Sequence, residues 1–438
     1  MQLTETDRAY LAGTAGPGVQ KCMRILVNFS IAFGASRLVN IASAHVIPNI
    51  PLGLLETLTE GVETLPVMTT LHPHMSAFCP SAWPSMGIDT KYAQAKLPDI
   101  KHRGALFAQK GFNQTYTCYP AMVGSLPKKG DYVSWIGSGG QVLVNSTIGA
   151  RCNRDGALLT LAAAITGRSP YYGLFMDSNR LAEVLVTFDG LDANRLSKTE
   201  LSAIGYYLGA QARSHNIVID GIDRELGMDY LKQIMIPLTV TGAVGVCHVR
   251  GVTPEADTLK DALGGRQPVK KISVNREILR RSLAMYTPKS VAGIPLLSPQ
   301  VGVTAKRDVA PTDMVVLGCP HLSIQEIRLI AGLLVGQHVP NHKYLWIGLA
   351  HQQYQLAREM GYVATIEGAG GVMVSACMST IPDSPIPARV TSVMTSSMKA
   401  AHYISQLNHK RLSVGVADIE CCIRSLLHST THKPQVTR

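Results

Sequence analysis

No C-x-x-C pair occurs among the nine cysteines of this 438-residue chain, so no zinc-finger spacing is present. Charged residues make up only 16% and aromatics 6%, against 46% apolar residues. That balance excludes a disordered chain and supplies core material for two or three domains. Lys plus Arg exceed Asp plus Glu by 41 minus 30, or +11, but the basic residues are scattered and no helix-turn-helix pattern accompanies them. This argues against a nucleic-acid module and suits an acidic partner or an anionic small substrate at least as well. A secretory signal is missing, because MQLTETDRAYL is charged and polar from residue 5 onward. Uncharged stretches such as 38–55 are interrupted by Asn40, His45, Pro48, Asn49 and Pro51, which argues against a membrane span. The expectation is a soluble, cytoplasmic protein with neither nucleic acid nor membrane as partner. An odd number of cysteines without a small secreted scaffold points to thiols that are free or metal-bound.

The most informative stretch is MVVLGCPHLSIQEI, residues 314–327. Met314 to Leu317 is a short β-favouring apolar run, Gly318-Cys319-Pro320 is a sharp break, and Ser323 with Glu326 has the spacing of a capping box. Cys319 is therefore expected where a buried strand hands over to a helix, the crevice in which α/β folds bind ligands. Taken alone it reads first as a small buried hydrophobe, since free Cys is among the most buried residue types.

In chain order, Thr4 with Asp7 opens a short helix ending near Gly13, and a second helix presents Val19, Cys22, Met23, Leu26 and Phe29 on one face. Strands are expected over 37–46 and 64–71, leading into turns that carry Ser43, His45, His72 and His74. Asn113 to Cys118 is β-prone and would put Cys118 at a strand end. The glycine-rich WIGSGG, 135–140, precedes a probable helix but is neither a Walker motif nor a dinucleotide fingerprint. Asn145, Ser146, Arg151, Asn153 and Arg154 follow, read either as caps and ion pairs or as an anion clamp. Strands are expected over 182–188, 217–222 and 389–394, a helix over 198–213, and boundaries at 251–271 or 287–302. After 302 strands and helices alternate, which predicts parallel pairing. Cys377 follows a short apolar run, and Lys399 is a cation at a helix start, where the dipole disfavours it. Cys421 and Cys422 read as packing residues and 428–438 as a frayed tail. Cys118, Cys319 and Cys377 thus share one local setting. Brought together they could hold an iron–sulfur cluster with one iron lacking a thiolate, although spacing alone does not establish this.

The segments TYTCYPAMVGSLPKKGDYVSWIGSGGQVLVNSTIGARCNRDGALLTLAAAITGRSPYYGL, ALGGRQP, VVLGCPHLSIQEI and TSSMKAAHY, in this order, resemble the large catalytic subunit of the aconitase X family, from about residue 3 to about residue 415. The resemblance implies a multi-domain α/β, aconitase-like architecture with mainly parallel sheets and the active site between domains. The expected division is 1–155, 156–290 and 291–427, with a tail at 428–438. It also implies an iron–sulfur dehydratase whose cluster, of open nuclearity (2Fe-2S, 3Fe-4S or 4Fe-4S), is held by Cys118, Cys319 and Cys377. A small swivelling-domain subunit is the implied partner.

The family dehydrates cis-3-hydroxy-L-proline in bacterial members and 5-phosphomevalonate in archaeal heterodimers. Pro48, Asn49 and Ile50 stand where the archaeal members have a Gly-Val-Ser loop, His72-Pro73 where they have Asn-Pro, and Gly137-Ser138 where they have Glu-Ser. Lys399 of the late Ser-x-Lys motif is retained. These departures favour the hydroxyproline-type substrate or a related small hydroxy acid, with phosphomevalonate as the alternative. Ser43, His72, Ser397 and Lys399 are the expected proton-handling or positioning residues. Pro48, Asn49, Ile50, Pro73, Gly137, Ser138, Asn145, Ser146, Arg151, Arg154 and Met398 are the expected substrate contacts. A cluster-free or mononuclear-metal hydro-lyase and a catalytically retired, partner-binding subunit are the competing readings.

Overall fold

The computed structural model describes residues 1–74, 79–222, 227–286, 311–378, 385–407 and 412–427. The proposed boundary at 287–302 and the tail at 428–438 lie outside the described residues, as does residue 291, the expected start of the last domain.

Three parallel sheets organise these residues. The first runs Met68–Leu71, Ser43–Val46, Tyr132–Trp135, Arg151–Cys152. The second runs Lys270–Val274, Val184–Phe188, Ile217–Ile219, Cys247–Val249. The third has five strands, Gly371–Val374, Tyr344–Gly348, Met314–Leu317, Ser392–Thr395 and Ser413–Val416. A two-stranded antiparallel pair joins Leu38–Asn40 to Arg168–Pro170. The α/β architecture expected from the sequence is therefore present, with sheet strands that are largely buried.

Local chemistry sets the helix ends. Thr4 and Asp7 form the capping box, each side chain accepting the other's backbone N–H, and Gly13 closes the helix at φ +88°. Ser323 and Glu326 repeat the device at the helix Ile324–Leu334. In the helix Pro17–Ala32 the face carrying Val19, Cys22, Met23 and Leu26 is buried, while Phe29 is half-exposed.

Several expected strands are shorter or differently used. The run 37–46 splits, because the Ile41 and Ala42 N–H groups bond to Gly167 and Tyr132 and divide it between two sheets. Pro66 has no N–H for a ladder, and pairing begins only at Met68. Residues 113–118 run beside Met68–Leu71 through bonds from Asn113 and Thr117 without forming a strand, since Tyr116 adopts φ +44°. Residues 251–271 are no linker: they carry the helix Leu259–Leu263 inside the second unit, and Glu255 pairs with buried Arg180. The helix Ala157–Thr166 packs on the helix Pro17–Ala32 and the strand Ser43–Val46, in the first unit's core.

One apolar core runs through all three units, including Trp135, Ile236, Met314 and Trp346. A buried ionic knot joins the second and third. Lys232, 1% exposed, on the helix Met228–Thr241, bonds to Glu326 and to Asp229 at 2.8 Å, and Ser323 Oγ donates to Asp229 at 2.6 Å. Lys198 reaches the same carboxylates, Glu326 at 3.2 Å and Asp229 at 3.6 Å, so removing Lys232 leaves them with one partly exposed cation in place of two. Lys232→Met is expected to lower unfolding stability by about 2–3 kcal/mol in urea titrations; a loss below about 1 kcal/mol would show that the knot is not a stabilising contact.

Candidate active site

The third sheet has the order third, second, first, fourth, fifth, which reverses between Met314–Leu317 and Ser392–Thr395. Such a reversal opens a crevice beyond the carboxyl ends of the strands. Cys319 follows the first of these strands, and Ser397 and Lys399 follow the second. Gly318, at φ +108°, makes the sharp exit, and a Cβ there would lie 2.2 Å from the Gly348 carbonyl oxygen. The first sheet reverses at Ser43–Val46, and the strands on either side end at His72 and just before Gly137. The two crevices face each other.

Between them lies a small cavity of about 50 Å³ lined by His72, Pro73, Cys118, Gly137, Cys319, Cys377 and Lys399 among others. The three cysteines, from three separate segments, are half-buried, whereas Cys22, Cys152, Cys247 and Cys422 are fully buried in core. No disulfide links the nine cysteines, all of which are described. Hydrogen bonds knit the three segments together. The His321 N–H donates to Cys118 Sγ at 3.1 Å, the His321 ring lies 3.4 Å from the Ala376 carbonyl, and the Cys377 N–H donates to the His74 carbonyl at 2.9 Å. His74 in turn stacks on the strained Tyr116 at 4.3 Å, two residues before Cys118.

The electrostatics centre on Lys399. Burial opposes its charge, but Cys319, Tyr403, Cys118 and Cys377 outweigh burial and raise its pKa. The groups that stabilise the ammonium are thus thiols and a phenol. Burial raises the Cys118 thiol, countered by the His321 N–H, Lys399 and Lys232. His72 is held well below the usual histidine range by burial and then by His45, Lys399 and His321. His45 is lowered to about 3, mainly by burial, and its Nδ1 meets the Thr70 hydroxyl at 2.8 Å.

Other expected residues lie outside this cavity lining. Ser43 Oγ accepts the Trp135 indole N–H at 3.0 Å, and Ser397 Oγ accepts the Ala400 N–H, capping the next helix. Met398 is core, and Ser138 Oγ accepts the Thr239 hydroxyl at 3.1 Å. Asn145 is fully used by Cys152, Gly245 and Arg180, and Ser146 accepts the Cys247 N–H. Arg151 pairs with Asp177 and donates to the Phe175 carbonyl. Pro48 and Ile50 are buried, their carbonyls held by Arg103, and Asn49 is exposed beside them. Arg154 is exposed and is not among the residues lining the cavity. Sequence reasoning missed His321, Ile236, Met378 and the organising Arg180; HLS after Cys319-Pro320 was the available signal for His321.

Cys118, Cys319 and Cys377, lining one cavity with Lys399, are a donor set that would fit an iron–sulfur cluster. Among the described residues no three His, Cys, Asp or Glu side chains gather closely enough to hold a single metal ion. A cluster spreads its ligands over separate irons, and an ammonium beside it suits thiolate donors.

Family models for the first, second and third domains of aconitase X match residues 1–178, 182–284 and 312–428. The solved holo-form of aconitase X from Thermococcus kodakaraensis superposes with a TM-score of 0.78 at 28% identity, over 97% of this chain and 99% of that one. A phosphomevalonate dehydratase large subunit from Thermococcus kodakarensis is 30% identical over 97% of this chain and 99% of its own length. A cis-3-hydroxy-L-proline dehydratase from Hypocrea jecorina is 29% identical over 95% of this chain and 67% of its own length. A parallel α/β protein with a crevice between units is thus one of a class of dehydratases, carbon–oxygen lyases. The chain belongs to the aconitase X family.

Asp155, next to Arg154 in the chain, is pushed up to about 6 by burial, partly offset by the Tyr172 hydroxyl that donates to it. Between pH 4 and 6 the folded protein keeps a proton that the unfolded chain has released, so this contribution to stability is lost as pH rises. The shift is worth about 3 kcal/mol. The stability difference between Asp155→Asn and wild type is expected to move by that amount in favour of the variant from pH 4 to pH 7; a pH-independent difference would contradict it.

Proposed function

We propose that the chain is the catalytic subunit of an iron–sulfur dehydratase that removes water from cis-3-hydroxy-L-proline or a closely related small hydroxy acid. The observation carrying this reading is the convergence of Cys118, Cys319 and Cys377 around Lys399, whose charge is supported by thiols rather than by carboxylates. Those three thiols would hold the cluster, which supplies a Lewis-acidic iron for the leaving hydroxyl. Lys399 would hold the substrate's anionic end from inside the pocket. His72, kept uncharged by its surroundings, would position the substrate from the cavity wall as a hydrogen-bond acceptor. The buried core around the cavity excludes bulk water.

Relatives named as large subunits support a small-subunit partner for this chain. Among the described residues no helix is long and apolar enough to cross a membrane. Dehydration of 5-phosphomevalonate is the second reading, favoured by the near full-length likeness to the large subunits that bear that name.

Protein purified without oxygen, with its small-subunit partner, is expected to contain stoichiometric iron and acid-labile sulfide. Serine at residue 118, 319 or 377 should abolish the visible absorption and the dehydration together. Retention of both in any one variant would remove that cysteine from the ligand set. Lys399→Met should keep iron and sulfide but reduce turnover at least 100-fold.

A further inference from the structure

The glycines of WIGSGG answer to their neighbours. A Cβ on Gly140 would lie 3.1 Å from the Cys118 carbonyl oxygen, and one on Gly139 would lie 3.2 Å from Ile236 Cδ1. Gly137 is the most constrained by a functional group. It adopts φ +90°, and a Cβ there would lie 2.9 Å from His72 Nε2 and 3.0 Å from its Cδ2. The imidazole of His72 therefore stands against the place a side chain at residue 137 would take, so one of the two would have to shift. With a cavity of only about 50 Å³ beside it, the room for that shift is small.

The other ring nitrogen fixes the chemistry of this face. His72 Nδ1 lies 3.4 Å from the Pro73 carbonyl oxygen, which can only accept, so Nδ1 carries the hydrogen. Nε2 is then a lone-pair acceptor directed toward the Gly137 side of the cavity. Burial, reinforced by His45 and Lys399, keeps the second proton off. Lys399 lines the same cavity as a donor and a cation, so the two walls ask for opposite chemistry.

We infer that His72 reaches the cavity only because residue 137 has no side chain, and that its Nε2 accepts a hydrogen bond from a donor on the substrate, the ammonium of a cyclic amino acid, while disfavouring a phosphate. This rests on the dehydratase reading and narrows its substrate class. An anionic oxygen placed against Nε2 would meet a lone pair, whereas an N–H finds an acceptor already oriented by its neighbour. His72 and Gly137 are in this sense one specificity element.

Two measurements test it. The first follows thermal unfolding of the chain for wild type, Gly137→Ala, His72→Ala and the double variant. Alanine at φ +90° is strained whichever residue stands at 72, so that part cancels in the cycle and the contact part does not. The loss of Tm caused by Gly137→Ala is expected to shrink by several degrees when His72 is also alanine; additive effects would overturn the pairing. The second uses the anaerobically assembled enzyme with its small subunit, comparing kcat/KM for cis-3-hydroxy-L-proline and 5-phosphomevalonate. His72→Phe, which keeps bulk without an acceptor, should lower the ratio between them at least 10-fold, chiefly through KM, and His72→Gln should recover part of it. An unchanged ratio overturns the recognition while leaving the dehydratase reading intact. A wild type inert toward both compounds overturns that reading and the recognition with it, and the unfolding cycle then still decides whether His72 and Gly137 are paired.

Discussion

Lys399 brings a positive charge into a crevice whose stabilising partners are Cys319, Tyr403, Cys118 and Cys377. A half-buried ammonium is tolerable when opposite charge or strong acceptors stand beside it. Lys399 in turn opposes the burial that raises the Cys118 thiol, and a strand-to-helix turn of the third sheet delivers the lysine there. Much of the architecture follows from holding this one charge against three sulfurs. The sheet reversal supplies the crevice, Gly318 the sharp exit for Cys319, and the ionic knot of Lys232, Glu326 and Asp229 anchors the helix that follows.

That knot also separates two kinds of buried charge in the same region. Lys232 has two carboxylates and donates to the His321 carbonyl, so its charge is spent within the fold. Lys399 has no such local neutralisation in its stabilising set, which leaves its field directed at whatever occupies the cavity. The contrast argues for a structural role in the first and a ligand-directed role in the second, although both are lysines enclosed near the same turn.

The strand Met314–Leu317, the Gly318-Cys319 break and the Ser323–Glu326 box were legible because each is a local effect: β-branched runs, a glycine exit and reciprocal capping act within a few residues. The same holds for Thr4 with Asp7. Residues 113–118 misled, since their β-prone composition says nothing of the positive φ that Tyr116 takes to stack on His74. Asn145, Ser146 and Arg151 looked like an anion clamp because polarity in an apolar stretch has two uses; here they satisfy backbone groups of the second unit and Asp177. Residue type alone could not separate the two uses, because the deciding partners, Arg180, Gly245 and Cys247, lie far along the chain. His321 is of the same kind, its importance resting on contacts to Cys118 and Ala376 across 203 and 55 residues.

The absence of a C-x-x-C pair then has a structural meaning. A short motif sets the spacing of two thiols by the chain between them, so the local turn determines the site. Here the spacing is set by a closed circuit of contacts, from Cys118 to His321, from His321 to Ala376, from Cys377 to His74, and from His74 through Tyr116 back to Cys118. Each segment is positioned by a different strand end or loop, and none fixes the site alone. Packing of the first unit on the third is consequently part of the site's geometry, and a disturbance of that interface reaches all three sulfurs together. The same circuit explains why His72 and Gly137, contributed by the first sheet, can shape a cavity whose sulfurs come mostly from the third.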